Sequence, residues 1–438
     1  MKKLIILDIV GLSKKQFEKL KPKNISKILE HGSYGSFDPS FPAVTCSVQA
    51  SIFSGTYPSE HGIISNGYYD ELFKKISFWE QPANLVKKPR IWDLLKKNNP
   101  DFSTALLFLQ NSLYANSNVV LTPKPLHLDN KMVMWCYSKP ENFYEKITES
   151  IGNFDLKSYW GPFSSLKSSN WIINSAKIAI QNHLPDLLVT YLPHLDYTSQ
   201  KFGPNSDEFK KSVDELDILI GDFLLFLNQE YPNTYEIMIL SEYNFNEVNN
   251  SISPNLLLRQ HGLLSTRRIE EKDYIDYEFS KAFAMVDHQI AHLYIKPGYE
   301  DQVKSIFNNE HVGSILDNDL QKKFKVNHPK SGDLILCSNI NSWFNYYWWD
   351  DIKHAPDFTF TVDIHRKPGY DPLELFIDFQ SKTISHDTSL IKGSHGLISN
   401  DPMNSPLIGT SFESNIDEKI SVIEIKNKIQ NFFKKNTH

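Results

Sequence analysis

Leu4-Ile5-Ile6-Leu7-Asp8-Ile9-Val10, closed by Gly11, is the stretch whose character decides the architecture. A short apolar run interrupted by one carboxylate reads as a central strand of a parallel sheet, covered on both faces. Its acidic residue then lies at the strand's C-terminal end, where open α/β sheets bind their ligands. Met1-Lys2-Lys3 imitates the charged start of a signal peptide, but Asp8 ends the apolar run after four residues. A carboxylate buried there needs a cation or a strong hydrogen-bond network to offset its lost hydration.

Working outward, helical spacing recurs over residues 14–30 and 91–97, and from about Ser168 towards Gln181. Pro185 precedes a second apolar run, residues 186–192, which delivers Pro193-His194-Leu195-Asp196 at its exit. Phe209, Val213, Leu216, Ile220 and Leu224 mark an amphipathic helix over residues 206–227. Ile237-Met238-Ile239-Leu240 is a third buried run, ending in Ser241-Glu242-Tyr243. This alternation predicts an α/β fold with a mostly parallel central sheet and helices on both faces. The rhythm weakens after Phe245, so residues 247–360 are expected to form an inserted, smaller α+β cap subdomain. Strand-like pieces at 291–295 and 333–337 and the cluster Trp343-Phe344-Asn345-Tyr346-Tyr347-Trp348-Trp349 fall within it. Residues 1–246 and 361–438 then make up the catalytic core.

A chain of 438 residues with 40% hydrophobic content can bury a large core. Its net charge of −6 is spread over mixed surface, with no basic stripe for a nucleic-acid polymer. Cys46, Cys136 and Cys337 lack CxxC spacing, which disfavours both a disulfide framework and a thiolate zinc site. No apolar run approaches membrane-spanning length. A cytoplasmic protein acting on a small molecule, without a membrane partner, is the expectation.

The richest segment is Phe41-Pro42-Ala43-Val44-Thr45, continuing to Ser54-Gly55-Thr56-Tyr57-Pro58-Ser59-Glu60-His61-Gly62-Ile63-Ile64-Ser65-Asn66-Gly67. Alone, Thr45 would be a helix cap. Together the pattern resembles the nucleotide pyrophosphatase/phosphodiesterase and phosphonoacetate hydrolase branch of the alkaline phosphatase superfamily. Its nucleophilic threonine follows an aromatic-Pro-x-x-Thr pattern and precedes a TGLYPxxHGI segment. Asp8 matches that family's first-strand aspartate, Asp196 its D-x-x-x-H-x-x-G-P element, and His395 in Gly393-Ser394-His395-Gly396 its late GxHG histidine. The resemblance implies an alkaline phosphatase-like fold and a Thr45 nucleophile at a helix N-terminus between two divalent metals. Zinc is the first expectation, with manganese or magnesium as alternatives. It further implies that Asn66 and the backbone N–H beside the nucleophile donate to a phosphoryl oxygen, and that Asp8, Thr45, Asp196, Glu242 and His395 are metal ligands.

Two departures alter that ligand set. Gln200 stands where the family has histidine, and Glu242-Tyr243 replaces its Asp-His pair. Loss of imidazole nitrogens points to a rebuilt site or a harder ion. Gln200, Tyr243, His194, Asp287, His288, Asp363 and His365 are the candidate replacement ligands or substrate contacts, with ordinary salt bridges as the alternative. His194 would share a face with Asp196 on a strand.

The expected function is hydrolysis of a phosphodiester or pyrophosphate bond through a phosphothreonine intermediate, with a small phosphorylated substrate such as a nucleotide. A phosphonate-bond hydrolase and a catalytically inactive ligand-binding homologue are the alternatives. Cys46-Ser47-Val48-Gln49-Ala50 lacks the proline and arginine of a sulfatase motif.

Overall fold

A computed structural model of the protein describes residues 2–129, 131–309, 312–416 and 418–436. The strands that matter here are β1 (Lys3–Ile9), β2 (Ser33–Asp38), β3 (Thr104–Leu107), β4 (Val119–Pro123), β5 (Cys136–Lys139), β6 (Leu187–Leu192) and β7 (Tyr235–Leu240), then β8 (Ala282–Asp287), β9 (Ile290–Ile295), β10 (Val312–Leu316), β11 (Leu334–Ser338), β12 (Leu407–Thr410) and β13 (Lys419–Ser421). Among the described residues a nine-stranded sheet runs in the order β13-β2-β12-β7-β1-β6-β3-β4-β5. Its centre is parallel, β1 lying between β6 and β7, while β5 and β12 run antiparallel to their neighbours. Asp8 pairs with Tyr191 on one side and Leu240 on the other, so three strand exits open at one edge.

Helices α1 (Lys14–Leu20), α2 (Lys23–Leu29), α3 (Thr45–Ser54), α4 (Ile91–Asn98), α5 (Leu166–His183), α6 (His194–Phe202), α7 (Asp207–Glu230) and α8 (Glu424–Lys435) cover the two faces. Side chains alternate along β1. Ile5, Leu7 and Ile9 pack with α1, α2, α5 and α7, whereas Leu4 and Ile6 pack with α3, α4 and α8. Asp8 therefore falls on the α3 side. The helical spacing over 14–30 is split in the structure. Lys21 turns left-handed at φ 49 and Pro22, lacking an N–H, begins the next helix. α7 begins where Ser206 accepts from the Phe209 amide, with Asp207 and Glu208 in its first turn.

A second, antiparallel sheet, β8-β9-β11-β10, lies within 282–338 and has its own apolar core. Its β8–β9 hairpin turns on His288-Gln289, with His288 at φ 59. Such a conformation is costly for a residue with a Cβ, so surrounding contacts must hold it. The Gln289 amide donates to the His395 carbonyl at 2.9 Å and the Phe344 amide to the His288 carbonyl at 2.8 Å. Among the described residues no helix is long and apolar enough to cross a membrane.

Candidate active site

Thr45 is the first residue of α3, entered from an extended Val44, and every residue of α3 is buried. One turn along, Gln49 donates from Nε2 to Asp8 Oδ2 at 3.3 Å and to Glu242 Oε1 at 2.5 Å. Its own carbonyl oxygen is fixed by the Gln110 amide at 2.8 Å. Glu242 lies just beyond the end of β7, so the edge of the sheet sets two fully buried carboxylates side by side.

The other half of the cluster comes from α6 and the 393–396 loop. Tyr243 donates to Asp196 Oδ1 at 3.2 Å, and its hydroxyl is 2.9 Å from Thr45 Oγ1. With the tyrosine proton directed at Asp196, Thr45 has its own proton to give either to Tyr243, forming a chain Thr45→Tyr243→Asp196, or to its other partner, Glu242. Gln200 gives its amide to Asp196 Oδ2 at 2.8 Å and accepts from the Tyr370 hydroxyl at 2.7 Å. His395 Nε2 stands 4.0 Å from Asp196 Oδ1, while its Nδ1 donates to the Ala43 carbonyl at 2.8 Å. The loop carrying it must approach α6 closely. A Cβ on Gly393 would sit 2.2 Å from the Ser199 carbonyl, so only glycine fits.

Burial dominates the electrostatics. It pushes the Asp8 carboxyl up to about 7, against bonds from Glu242 and Gln49 that favour its charged form. Burial and then the Asp8 charge drive Glu242 well above the usual carboxylate range. Asp196 rises to about 6 through burial, with the nearby His288 and the bonds from Tyr243 and Gln200 limiting the rise. Burial, then Asp196 and Glu242, push the Tyr243 phenol up, which keeps it a protonated donor.

Asp287 behaves oppositely. Burial would raise it, but bonds from His288, Ser65 and Asn66 outweigh that and hold it below the ordinary range. Ser65 Oγ donates to Asp287 Oδ2 at 2.5 Å, the Asn66 amide N–H to the same oxygen at 2.9 Å, and Asn66 Nδ2 to Oδ1 at 3.1 Å. His288 Nδ1 donates to Asp287 Oδ1 at 2.7 Å. Asn66 Oδ1 accepts from the Cys46 amide at 3.0 Å. The expected pair of phosphoryl donors, Asn66 and that amide, is thus bonded to itself and to Asp287, leaving one Asn66 amide hydrogen free.

Four rings form a column through the site. Tyr243 stacks on His395 at 3.6 Å, His395 lies 3.8 Å from His288, and His288 stacks on Tyr370 at 3.7 Å between centroids. Both imidazoles have Nδ1 tied and Nε2 buried without a partner. Thr45, Asp196, Tyr243, His288 and His395 open onto one cavity of about 610 Å3, whose far walls include Trp79, Phe108, Tyr159 and Trp160.

Other expected residues lie elsewhere. His194 is on a helix rather than a strand, because β6 ends at Leu192 and α6 begins at His194. Two-residue spacing there no longer shares a face, and His194 Nε2 points to Glu215 Oε2 at 3.4 Å, on α7. Asp363 binds Arg366, and His365 is exposed; both line the cavity away from the carboxylate cluster.

Whether this set suits divalent ions is decided by its donors. Among the described residues, no group of three or more His, Cys, Asp or Glu side chains could hold a metal ion. The clusters are pairs, Asp8 with Glu242 and Asp196 with His395, supplemented by the Thr45 and Tyr243 hydroxyls. Asp8 Oδ1, Glu242 Oε2, His288 Nε2 and His395 Nε2 are all buried without partners. Two touching carboxylates with bare oxygens and no basic side chain bonded to them are the environment a hard cation satisfies. The first pair fits an oxygen-coordinated ion, and the second, with its imidazole, suits zinc better. Each imidazole also has its far nitrogen bonded to a carbonyl or carboxylate, as metal-ligating histidines do.

Sequence reasoning passed over Gln49 and Tyr370. Gln49 was within reach, since residue i+4 from Thr45 shares its helix face. Tyr370 sits in a loop with no periodic pattern to orient it.

The chain is 28% identical over 207 residues to an uncharacterized pyrophosphatase/phosphodiesterase of Schizosaccharomyces pombe, a match covering 47% of this chain and 36% of that protein. It is 22% identical over 332 residues to ectonucleotide pyrophosphatase/phosphodiesterase 2 of Saccharomyces cerevisiae, covering 73% of this chain and 58% of that one. The match thus spans about a third to three fifths of the length of these relatives. Its fold is shared with murine ectonucleotide pyrophosphatase/phosphodiesterase 5, at 12% identity and a TM-score of 0.63 over 99% of this chain and 95% of that one. Phosphonoacetate hydrolase from Sinorhizobium meliloti is similar at 12% identity and a TM-score of 0.62, covering 98% and 96%. The model of one family, type I phosphodiesterase/nucleotide pyrophosphatase, matches residues 4–371, and the chain belongs to that family.

Proposed function

We propose that the protein is a metal-dependent hydrolase of phosphoester bonds, phosphodiester or pyrophosphate, with Thr45 as nucleophile. The observation that carries this is the hydroxyl chain Thr45→Tyr243→Asp196 at the N-terminus of α3, set among three buried carboxylates. Asp8, Glu242 and Thr45 would hold one divalent ion and Asp196 with His395 another, His288 being the nitrogen available in place of the histidine lost at Gln200. Bound there, such ions supply positive charge that favours the ionised threonine and offsets charge on the phosphoryl oxygens.

The chain's own groups do the rest. The threonine proton passes to Tyr243 Oη as the tyrosine proton moves to Asp196, the carboxylate that ends the chain. Thr45 Oγ1 attacks phosphorus as the P–O bond to the leaving group breaks, the proton taken up by Asp196 returns to the departing alkoxide or phosphate oxygen, and water then cleaves the threonyl phosphate. The α3 dipole favours the developing negative charge, and the free Asn66 amide hydrogen is aligned by Asp287. In this reading residues 247–360 are an insertion on the 1–246 and 361–438 core that brings Asp287 and His288 to the site. A cytoplasmic setting fits the free, buried cysteines. Support also comes from a solved form of the murine protein, an inactive variant with threonine replaced by alanine, in complex with AMP.

Thr45→Ala should cost about 10⁴-fold in turnover of a p-nitrophenyl phosphodiester, while Asp8 with Glu242 and Asp196 with His395 still keep divalent ion content near the parent's at saturating ion. Near-parent rates would refute the nucleophile. Absence of both stoichiometric ion and hydrolysis in the parent would favour an inactive binding homologue. Phosphonoacetate tested beside the diester, with phosphate released by P–C cleavage as the readout, separates the phosphonate hydrolase alternative.

A further inference from the structure

The cavity beside Thr45 has a chemistry of its own. Its inner walls are aromatic, and the polar ends of Trp160 and Tyr159 are already used by the protein. Trp160 Nε1 donates to Glu374 Oε2 at 2.5 Å and the Tyr159 hydroxyl bonds Gln110, so both present hydrocarbon to the cavity. At the mouth, Met132, Phe163 and Val362 are 43%, 58% and 45% exposed, a concentration of apolar surface that water does not favour. The lysines that reach the lining, Lys157 and Lys382, are exposed at the rim, and no arginine is among the described lining residues. A nucleoside would need free donors and acceptors for its base edge and ribose, and a second phosphate would need cations; the Gln81 and Gln110 side-chain amides that also line the cavity are bonded to each other, to the Asn111 N–H and to Tyr159, and Thr122 adds a single hydroxyl. A volume of about 610 Å3 is far more than a phosphoryl group fills.

We infer that the cavity holds the hydrocarbon substituent of a phosphate ester, so that the substrate's alcohol is a long-chain one, bound as a dissolved monomer. This rests on the reading of Thr45 as the phosphoryl-transferring centre.

The test uses p-nitrophenyl alkyl phosphodiesters, from methyl to octyl, below their critical micelle concentrations. kcat/KM should rise by about tenfold or more along the series, a fraction of what full burial of each methylene would yield. Independently of turnover, octyl phosphate should quench the tryptophan fluorescence of Thr45→Ala protein at concentrations about tenfold lower than AMP does. Phe163→Asp, at an exposed position, should shrink the octyl-to-methyl ratio about threefold. A flat series, or tighter binding of AMP, overturns the inference while leaving a hydrolase intact. Octyl phosphate binding with no ester cleaved sinks the hydrolase and leaves the apolar site standing.

Discussion

At Asp8 and Glu242 two buried carboxylates touch and share one neutral donor, Gln49, whereas at Asp196 a single carboxylate receives both a tyrosine hydroxyl and a glutamine amide. The first arrangement leaves an oxygen bare on each partner; the second satisfies its carboxylate and leaves two imidazole nitrogens bare instead. Like charges in a dry site are tolerated only when a proton or a cation separates them. Substituting Gln200 and Tyr243 for histidines thus shifts the demand for a cation onto the Asp8–Glu242 half. The largest expected effect follows from this asymmetry. Glu242→Gln should weaken divalent ion binding on the order of 100-fold or more, read by titration calorimetry. Asp196→Asn, whose partners can rearrange around an amide, should cost less. The reverse order would break the comparison.

The same halves differ in how far they could be read in advance. β1, β6 and β7 announce themselves because strands buried on both faces are continuous apolar runs, and Asp8, Asp196 and Glu242 follow as their exits. Motif spacing brought Thr45, Asn66 and His395 to the same place. Apart from the helix at 91–97, found as α4, the stretch from about 70 to 160 stayed opaque: β3 is four residues long, β5 pairs at the sheet's edge, and Trp79 and Tyr159 carry no spacing that ties them to Thr45. Those residues build the cavity walls, so the side-chain cluster of the candidate site was legible and the walls beside it were not. His194 misled because Pro193 stops the strand and helical geometry takes over. Asp287 and His288 came to the site through a hairpin whose left-handed turn no local pattern announced.

Acid–base stability sharpens the contrast at intermediate size. The Asp8 carboxyl moves from 3.8 to about 7 and Glu242 is also raised, both mainly by burial. Raised carboxyls stabilise the fold fully below the unfolded value and lose that contribution as pH climbs through the folded one. For Asp8 alone the difference between the two ends is roughly 4 kcal/mol at most. Asp287, held low, works the other way and contributes above the unfolded value, fading in acid. Burial also holds His61, His292 and His395 neutral, which favours the fold at pH 8 over pH 5, so the carboxylates show as a difference between proteins. From pH 5 to pH 8 the melting temperature of chelator-treated parent should rise less, or fall further, than that of chelator-treated Glu242→Gln, by several degrees, and a divalent ion should narrow the gap at pH 8. Parallel profiles for the two chelated proteins would mean the two carboxylates are not the charged liability their packing indicates.

The smallest effect concerns Tyr243. Its hydroxyl links the two halves, since Thr45 sits with Glu242 on one side and Tyr243 reaches Asp196 on the other. Tyr243→Phe keeps the ring and hence the stacking on His395 at 3.6 Å, so the column and the fold should survive. What disappears is the path by which the threonine proton reaches Asp196, while Glu242 remains as a second acceptor beside Thr45. Turnover should fall by about 10- to 100-fold, no more than the low end of what a positioned proton acceptor contributes because Glu242 remains, with KM little changed. A drop as large as that of Thr45→Ala would make the hydroxyl indispensable and Glu242 a ligand only. No drop at all would assign the threonine proton to Glu242 and reduce Tyr243 to a packing ring.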